Sequence, residues 1–398
     1  MSNLTVVDLF SGSGGMSWGL HNAGFKILAG IDNWDIALNT FKLNHPDAVT
    51  IKADIAELNP QEVMTSLELE YGELDCVIGG PPCQGFSKNV PSAYRFLEDP
   101  RNQLFHDYLR FVEVMFPKVV VMENVAEIYN AYGGAVRQEI VSKLNNLGYE
   151  VVVKKLYAPD YGVPQRRRRC FFFASRTNVT PVFPPLTFGP KNDNTLFGEI
   201  KKYRSAWSAI SDLPVLENGE GHEPMEYQQK PLNEYQELMR KDTKVLYDHI
   251  TRKLSKKQYP RIASLKAGQG LKDLPLEIRP KSGYSGAYGR LDFDMIAPTI
   301  TRWFFHPGSG RFCHPREIRS LTIREAARLQ SFSDDFRFTG SYIQKSHQVG
   351  NAVPPLIMQN MANNIKVCLQ ELPKESVQHR LLRDEQAQYQ MNTNLQVK

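Results

Sequence analysis

Cys83 stands in the stretch GGPPCQGFS, residues 79–87, straight after Pro81 and Pro82 and among Gly79, Gly80 and Gly85. A cysteine kept for packing usually sits among aliphatic side chains. Here proline removes backbone donors and fixes the chain, so the stretch is neither helix nor central strand. A thiol on a rigid, narrow loop is presented rather than packed. Its thiolate is a nucleophile, and a free thiol with a pKa of about 8.5 needs positive charge or a helix end to ionise. Two other stretches hold matching chemistry. Glu123 closes the apolar run KVVVM, and QRRRR (165–169) puts four consecutive arginines just before CFFF. A basic run beside a strand is usually only solvated, but four arginines leading into an apolar strand are harder to set aside.

These groups meet only if the intervening elements bring them to one edge. Over the first 175 residues, β-rich runs alternate with helical stretches: TVVDLF, FKILAGID, AVTIKAD, LDCVIGG, KVVVMEN, EVVVKKLY and CFFFAS. Such alternation implies a parallel sheet covered by helices on both faces. LDCVI is then the fourth strand and KVVVM the fifth, so Cys83 and Glu123 leave neighbouring crests. The chain of 398 residues is 41% hydrophobic and 23% charged, which suits a globular protein of two domains. No run is long enough to cross a bilayer, and the first apolar strand starts almost at Met1, so neither a membrane span nor a leader is expected. Five scattered cysteines without a C-x-x-C pair argue for a reducing compartment and against a disulfide framework or a structural zinc. The net charge of +5 permits a nucleic-acid partner without demanding one.

The first strand-turn-helix, DLFSGSGG (8–15), places Gly12, Gly14 and Gly15 where a backbone can approach a ligand at a helix start. The second strand ends at Asp32 and the third at Asp54. Acids after successive strands point to an adenosine-like ligand along the carboxyl edge. A tight turn with exposed acids is the plainer alternative. No Walker lysine follows, and Ser17 falls where the third glycine of a dinucleotide fingerprint would be. An adenosine ligand without a pyrophosphate fits better, and S-adenosylmethionine is the obvious one.

A thiolate, a carboxylic acid and a methyl donor suit one reaction. Carbon 5 of cytosine is too electron-poor to take a methyl group directly. Thiolate addition at carbon 6 makes an enamine whose carbon 5 can attack a sulfonium methyl, and an acid hydrogen-bonding ring nitrogen 3 favours that addition.

DLFSGSGG, GGPPCQGFS, ENV, QRRRR, REAARLQSF and QVGNAVPP follow one another across nearly the whole chain. In this order the sequence resembles the DNA (cytosine-5) methyltransferases, of the prokaryotic restriction-modification type. The resemblance implies an α/β, Rossmann-like S-adenosylmethionine-dependent methyltransferase fold. Its sheet would be mainly parallel and seven-stranded, with a second, smaller target-recognition domain. It implies S-adenosyl-L-methionine as donor (S-adenosyl-L-homocysteine as product), no metal, and double-stranded DNA as substrate. Cys83 would be the covalent nucleophile and Glu123 its partner on the base, with Arg169 and Arg167 at the target cytosine or its phosphate. By motif position Phe10, Ser11, Gly12, Gly14, Gly15, Asp32, Asn33, Asp54, Ile55, Pro82 and Leu104 would hold the donor, with Asn351 and Val353 added from the far end of the chain.

The resemblance also gives the polar middle a purpose. After the proline-dense TPVFPPLTFGP the alternation is lost, and TRKLSKKQYPRIASLK (251–266) holds six cations and no acid. An isolated run of this kind is usually a solvated helix face; in a recognition domain it becomes a source of phosphate contacts. The expected DNA-binding residues are therefore Arg252, Lys253, Lys256 and Lys257, with Gln165 at the head of the arginine run and Gln84 and Ser87 in the loop that would close over a flipped base. The expected division is 1–185 for the catalytic and cofactor domain, 186–285 for target recognition, 286–370 for a return segment and 371–398 for a polar tail. TIREAARLQSF should open with a capping box from Thr322 to Glu325. A cytoplasmic monomer on nucleoid DNA, paired with a separately acting restriction endonuclease, completes the expectation.

Two departures from the family pattern stand out: Asp32 where glutamate is commoner, and Ser333 where proline is usual. Rival readings fare worse. An RNA-directed relative would carry a shorter insert, and a silent DNA-binding relative would have lost Cys83 or Glu123. A nicotinamide oxidoreductase fails on the glycine spacing, and a cysteine protease lacks a histidine near these crests.

Overall fold

The computed structural model describes residues 4–82, 104–195, 198–241 and 243–370. Cys83, Gln84 and Ser87 lie outside the described residues.

Strands β1 (Thr5–Leu9), β2 (Lys26–Asp32), β3 (Val49–Lys52), β4 (Cys76–Gly79), β5 (Val119–Val125), β6 (Glu150–Tyr157) and β7 (Arg168–Ser175) form one sheet in the order β3-β2-β1-β4-β5-β7-β6. The first five are parallel; β7 runs antiparallel to both β5 and β6. β4 and β5 are almost continuously apolar because both their faces are covered, whereas the edge strand β3 has no fully buried residue. Helices α1 (Gly15–His21), α2 (Asp35–Asn44), α3 (Pro60–Ser66), α4 (Leu104–Met115) and α5 (Ala135–Asn146) connect the strands.

Each face of the sheet has its own apolar core. On one side Val7, Val77, Val120 and Phe172 pack under α4 and α5. On the other, Val6, Ile78, Val121 and Phe171 are covered by residues from the far end of the chain. These come from α9 (Ile323–Leu329), α10 (Tyr342–Asn351) and α11 (Pro355–Leu369). α11 lies so close to α1 that a Cβ on Gly19 would sit 2.2 Å from the Pro355 carbonyl oxygen. α9 starts where the sequence places it. Thr322 Oγ1 accepts from Glu325 N at 3.1 Å, and the Glu325 carboxylate accepts from Thr322 N at 2.8 Å.

The polar middle divides in two. α6 (Ala206–Ile210) and α7 (Glu234–Arg240) bury Ala206, Ile210, Tyr235 and Met239 in the same core as α9 and α11. Beyond them, around α8 (Gln258–Ala263), two small clusters form apart from it: Leu254, Ile262 and Cys313, and Leu265, Leu274, Ala287 and Tyr288. Among the described residues no helix is long and apolar enough to cross a membrane.

Candidate active site

Strand order reverses between β1 and β4, and in an open α/β sheet the crevice at such a switch is where ligands bind. A cavity of about 750 Å³ opens there at the carboxyl ends of the strands. Phe10, Ser11, Gly12, Gly15, Asp32, Asn33, Asp54, Ile55, Pro82, Leu104, Asn351 and Val353 line it, and so do Glu123, Arg167 and Arg169. Residues spread over nearly 350 positions of sequence thus share one space.

Local rules explain the first crest. Phe10 takes φ 58°, a conformation costly for a bulky side chain, and so turns the backbone sharply out of β1. Asp32 then ties two crests together: one carboxylate oxygen accepts from Gly12 N and the other from Trp34 N, both at 2.8 Å. Burial raises the Asp32 pKa, while those backbone donors hold it down. Gly15 is a spacing requirement, since a Cβ there would fall 2.5 Å from the Val353 carbonyl oxygen. Ser11 and Ser13 line the cavity with hydroxyls that are buried and have no hydrogen-bond partner among the described residues. Buried polar atoms left this way are uncommon and point to a polar ligand.

The opposite end is charged. Glu123 lies on β5 beside β7, and its Oε1 is 2.8 Å from Arg169 Nε, yet among the described residues that oxygen has no aligned hydrogen bond. Burial raises the Glu123 pKa, and the positive charges of Arg169 and Arg167 oppose the rise. Gly80 faces this carboxyl group, and a Cβ there would come within 3.1 Å of Glu123 Oε2. Asn124 fixes the crest next door: its amide donates to the Pro81 carbonyl at 3.0 Å, which ties the end of β5 to the Pro81–Pro82 turn. Among the described residues, the buried Arg167 side chain reaches only long contacts of 3.4 and 3.5 Å to the carbonyls of Gly350 and Asn351, and its Nε has no partner.

Two expectations need correction. Gly14 does not line the cavity: it caps α1 at φ 93° and faces Phe41 and His45, so it shapes the turn from behind. Gln165 does not face solvent or a groove. It is fully buried, accepts from Ile300 N at 2.8 Å, and donates to the Leu329 carbonyl and to Gln330 Oε1. Gln330 in turn donates to the Val349 carbonyl at 2.7 Å. This amide chain joins the arginine run, the end of α9 and the end of α10, which is why the closing GNAVPP segment reaches the cavity. The basic run is mixed. Lys253, Lys256 and Lys257 are exposed, and Arg252 lies 4.9 Å over the Phe305 ring. Arg261 turns inward instead, donating to the Ile278 carbonyl and the Tyr288 hydroxyl.

The sequence reading missed other lining residues, among them Asp8, Ser13, Trp34, Arg302 and Gln348. Asp8, Ser13 and Gln348 sit inside the quoted motifs and could have been added from them. Arg302 carries no local signal. It arrives because Gly350 lets the 301–302 backbone approach to 2.5 Å of where a Cβ would be.

Comparison with known proteins agrees with this arrangement. The profile of the C-5 cytosine-specific DNA methylases matches residues 4–367. The type II methyltransferase M.DdeI of Desulfomicrobium norvegicum is 36% identical over 387 residues, covering 91% of this chain and 88% of that protein. M.AgeI of Thalassovita gelatinovora, also a type II methyltransferase, is 34% identical, with 92% and 100% covered. Among solved structures, a DNA modification methyltransferase encoded within an E. coli prophage superposes with a TM-score of 0.73 at 26% identity, over 93% of this chain and all of that one. The chain belongs to the C-5 cytosine-specific DNA methylases and is a DNA (cytosine-5-)-methyltransferase of the restriction-modification type.

Proposed function

We propose that the chain transfers a methyl group from S-adenosylmethionine to carbon 5 of a cytosine flipped out of duplex DNA, through a covalent adduct with Cys83. One observation carries the reading: a single cavity has a buried acid and two arginines at one end and the Asp32 and Asp54 crests at the other. The unpartnered Ser11 and Ser13 hydroxyls and the close approach at Gly15 fit a polar, adenosine-type donor. When bound, that donor supplies an electrophilic methyl group on a sulfonium. Asp54 and Asn33 would face its sugar and base. Asp32 would contribute mainly by holding the Gly12 and Trp34 backbones, since each of its oxygens already accepts one hydrogen bond.

At the other end Glu123 acts as the proton holder. Burial favours its protonated form, against the pull of Arg169 and Arg167, and a cytosine filling the cavity would desolvate it further, so that it can donate to ring nitrogen 3. As nitrogen 3 takes that proton, the Cys83 thiolate bonds to carbon 6 and carbon 5 becomes nucleophilic. After methylation, loss of the carbon-5 proton and expulsion of the thiolate restore the ring, and the proton on nitrogen 3 returns to Glu123. Arg169 stabilises the carboxylate formed in between and, with Arg167, faces the target nucleotide. Extruding the base costs a few kcal/mol, drawn from phosphate and groove contacts. Those are assigned to Arg252, Lys253, Lys256 and Lys257 in a recognition domain at 186–285, with Gln84 and Ser87 closing over the base. A monomer acting beside a separate endonuclease completes the reading.

Duplex DNA with 5-fluorocytosine at the target tests it, because fluorine at carbon 5 blocks the elimination. With S-adenosylmethionine present, a protein–DNA species that survives denaturing electrophoresis is expected, and Cys83→Ala should abolish it while DNA is still retained. Turnover by Cys83→Ala would overturn the thiol mechanism.

A further inference from the structure

The arginine run is read by the strand as two pairs. Backbone alternation sends Arg167 and Arg169 into the cavity, while Arg166 and Arg168 are exposed. The family resemblance accounts for the inward pair only. We propose that the outward pair joins Lys155 and Arg137 in a second phosphate-binding surface, on the catalytic side of the mouth, which grips the duplex next to the extruded base. This rests on the reading above that the substrate is duplex DNA.

Four observations carry it. Arg168 is directly paired with Tyr157 on β6, and its guanidinium lies 5.0 Å over that ring. Two residues back along β6, on the same face, Lys155 lies 4.6 Å over the Tyr129 ring. Arg137, from the first turn of α5, lies 4.2 Å over the same Tyr129. None of these four cations forms an ion pair with a carboxylate among the described residues. The acid that senses Arg168, Asp160, is already bound by the Tyr203 hydroxyl at 2.7 Å.

Long basic side chains stacked on tyrosines lose less conformational freedom when they bind an anion. A solvated face with no partner would be expected to leave them free, and its charges would usually be balanced by neighbouring acids. Position strengthens the case. Tyr129 ends the turn that follows Glu123 on β5, and Arg168 is next to Arg169, so the surface begins where the cavity opens. DNA that delivers a base to Glu123 carries one phosphate per about 1.7 Å of axis and must bring several past this edge.

The experiment compares Arg166→Gln/Arg168→Gln/Lys155→Gln in the full chain with the unaltered protein. Binding to one short duplex containing the methylated sequence and one lacking it is measured at several salt concentrations. Neutralising the surface should make the slope of log affinity against log salt shallower by roughly 2, at about 0.9 for each phosphate the protein no longer neutralises. The affinity ratio between the two duplexes should stay within about twofold, since phosphate contacts carry no sequence information. The lysine versions of both arginines should keep the original slope, which separates charge loss from misfolding. A normal wild-type slope left unchanged by the triple substitution overturns the surface. A collapsed ratio overturns it too, by showing base readout. Binding of the unaltered chain that ignores salt overturns the duplex-DNA reading itself.

Discussion

The arginines around α9 and those at the cavity are built to opposite standards. Around α9 every guanidinium is saturated. Arg319 makes a bidentate pair with Glu325 at 2.7 and 2.8 Å. Arg324 donates to the carbonyls of Tyr247, Ser333 and Phe336. Arg328 is clasped by Asp334 on one side and Asp212 on the other, with the Ala209 carbonyl completing its set. In the cavity, by contrast, Arg167 reaches only long contacts among the described residues, and Glu123 Oε1 has an arginine beside it without an aligned bond. A buried charge with all its partners is an internal tie, and removing one partner is what costs. A buried charge left short of partners is waiting for one. The contrast separates scaffold from site without reference to any relative.

The sharpest way to break this contrast is Glu123→Gln. If the unsaturated cluster is the working one, methyl transfer should fall by about 10²–10⁴, while the melting temperature stays the same or rises because a buried, under-bonded carboxyl group is gone. A steady-state assay with labelled methyl donor, run beside a thermal melt, reads both. Substantial activity in the variant would remove Glu123 from the chemistry.

Arg328→Met should do the reverse. It leaves the buried Asp334 with only the Tyr227 hydroxyl and a 3.8 Å approach from Arg324 among side chains of the described residues, while Asp212 keeps Arg240, at a cost of about 3–5 kcal/mol. Chemical denaturation should show the loss, and a variant as stable as the parent would mean that the α9 cluster is not the tie described.

Asp8 sharpens the comparison from the cavity side, because it is a buried carboxyl with no cation. Burial raises its pKa from 3.8 to about 7, against the pull of the Ser17 hydroxyl bonded to it at 2.6 Å. The folded form therefore holds this proton more tightly than the unfolded chain. Its contribution to stability is complete below about pH 4 and is lost as pH rises toward 7. The loss is on the order of 3–4 kcal/mol at about 1.4 kcal/mol per unit. Asp8→Asn should flatten that part of the stability–pH profile, and parallel profiles for the two proteins would contradict it.

The same contrast marks what the sequence could say. Continuous valine and isoleucine runs announced the central strands, and the acids at the end of β2 and just beyond β3, Asp32 and Asp54, pointed to a ligand edge, because both signals are local. Gln165 misled because an amide beside four arginines reads as solvent-facing, while its real partners lie about 130 to 165 residues away. Nothing local in IREAARL shows that Arg324 and Arg328 are buried; the elements packed around α9 do that. Arg302 could not be read at all, since its place depends on a backbone packing against Gly350.

The amide chain from Gln165 through Gln330 to Val349 makes the pocket depend on its most distant wall. Asn351 lies 184 residues beyond Arg167 in the sequence, yet both line the same cavity. A product cut before Gln348 would possess every residue proposed to touch the cytosine, yet would lack a closed pocket for the donor. Competence would thus be lost as a whole with that short segment rather than by degrees.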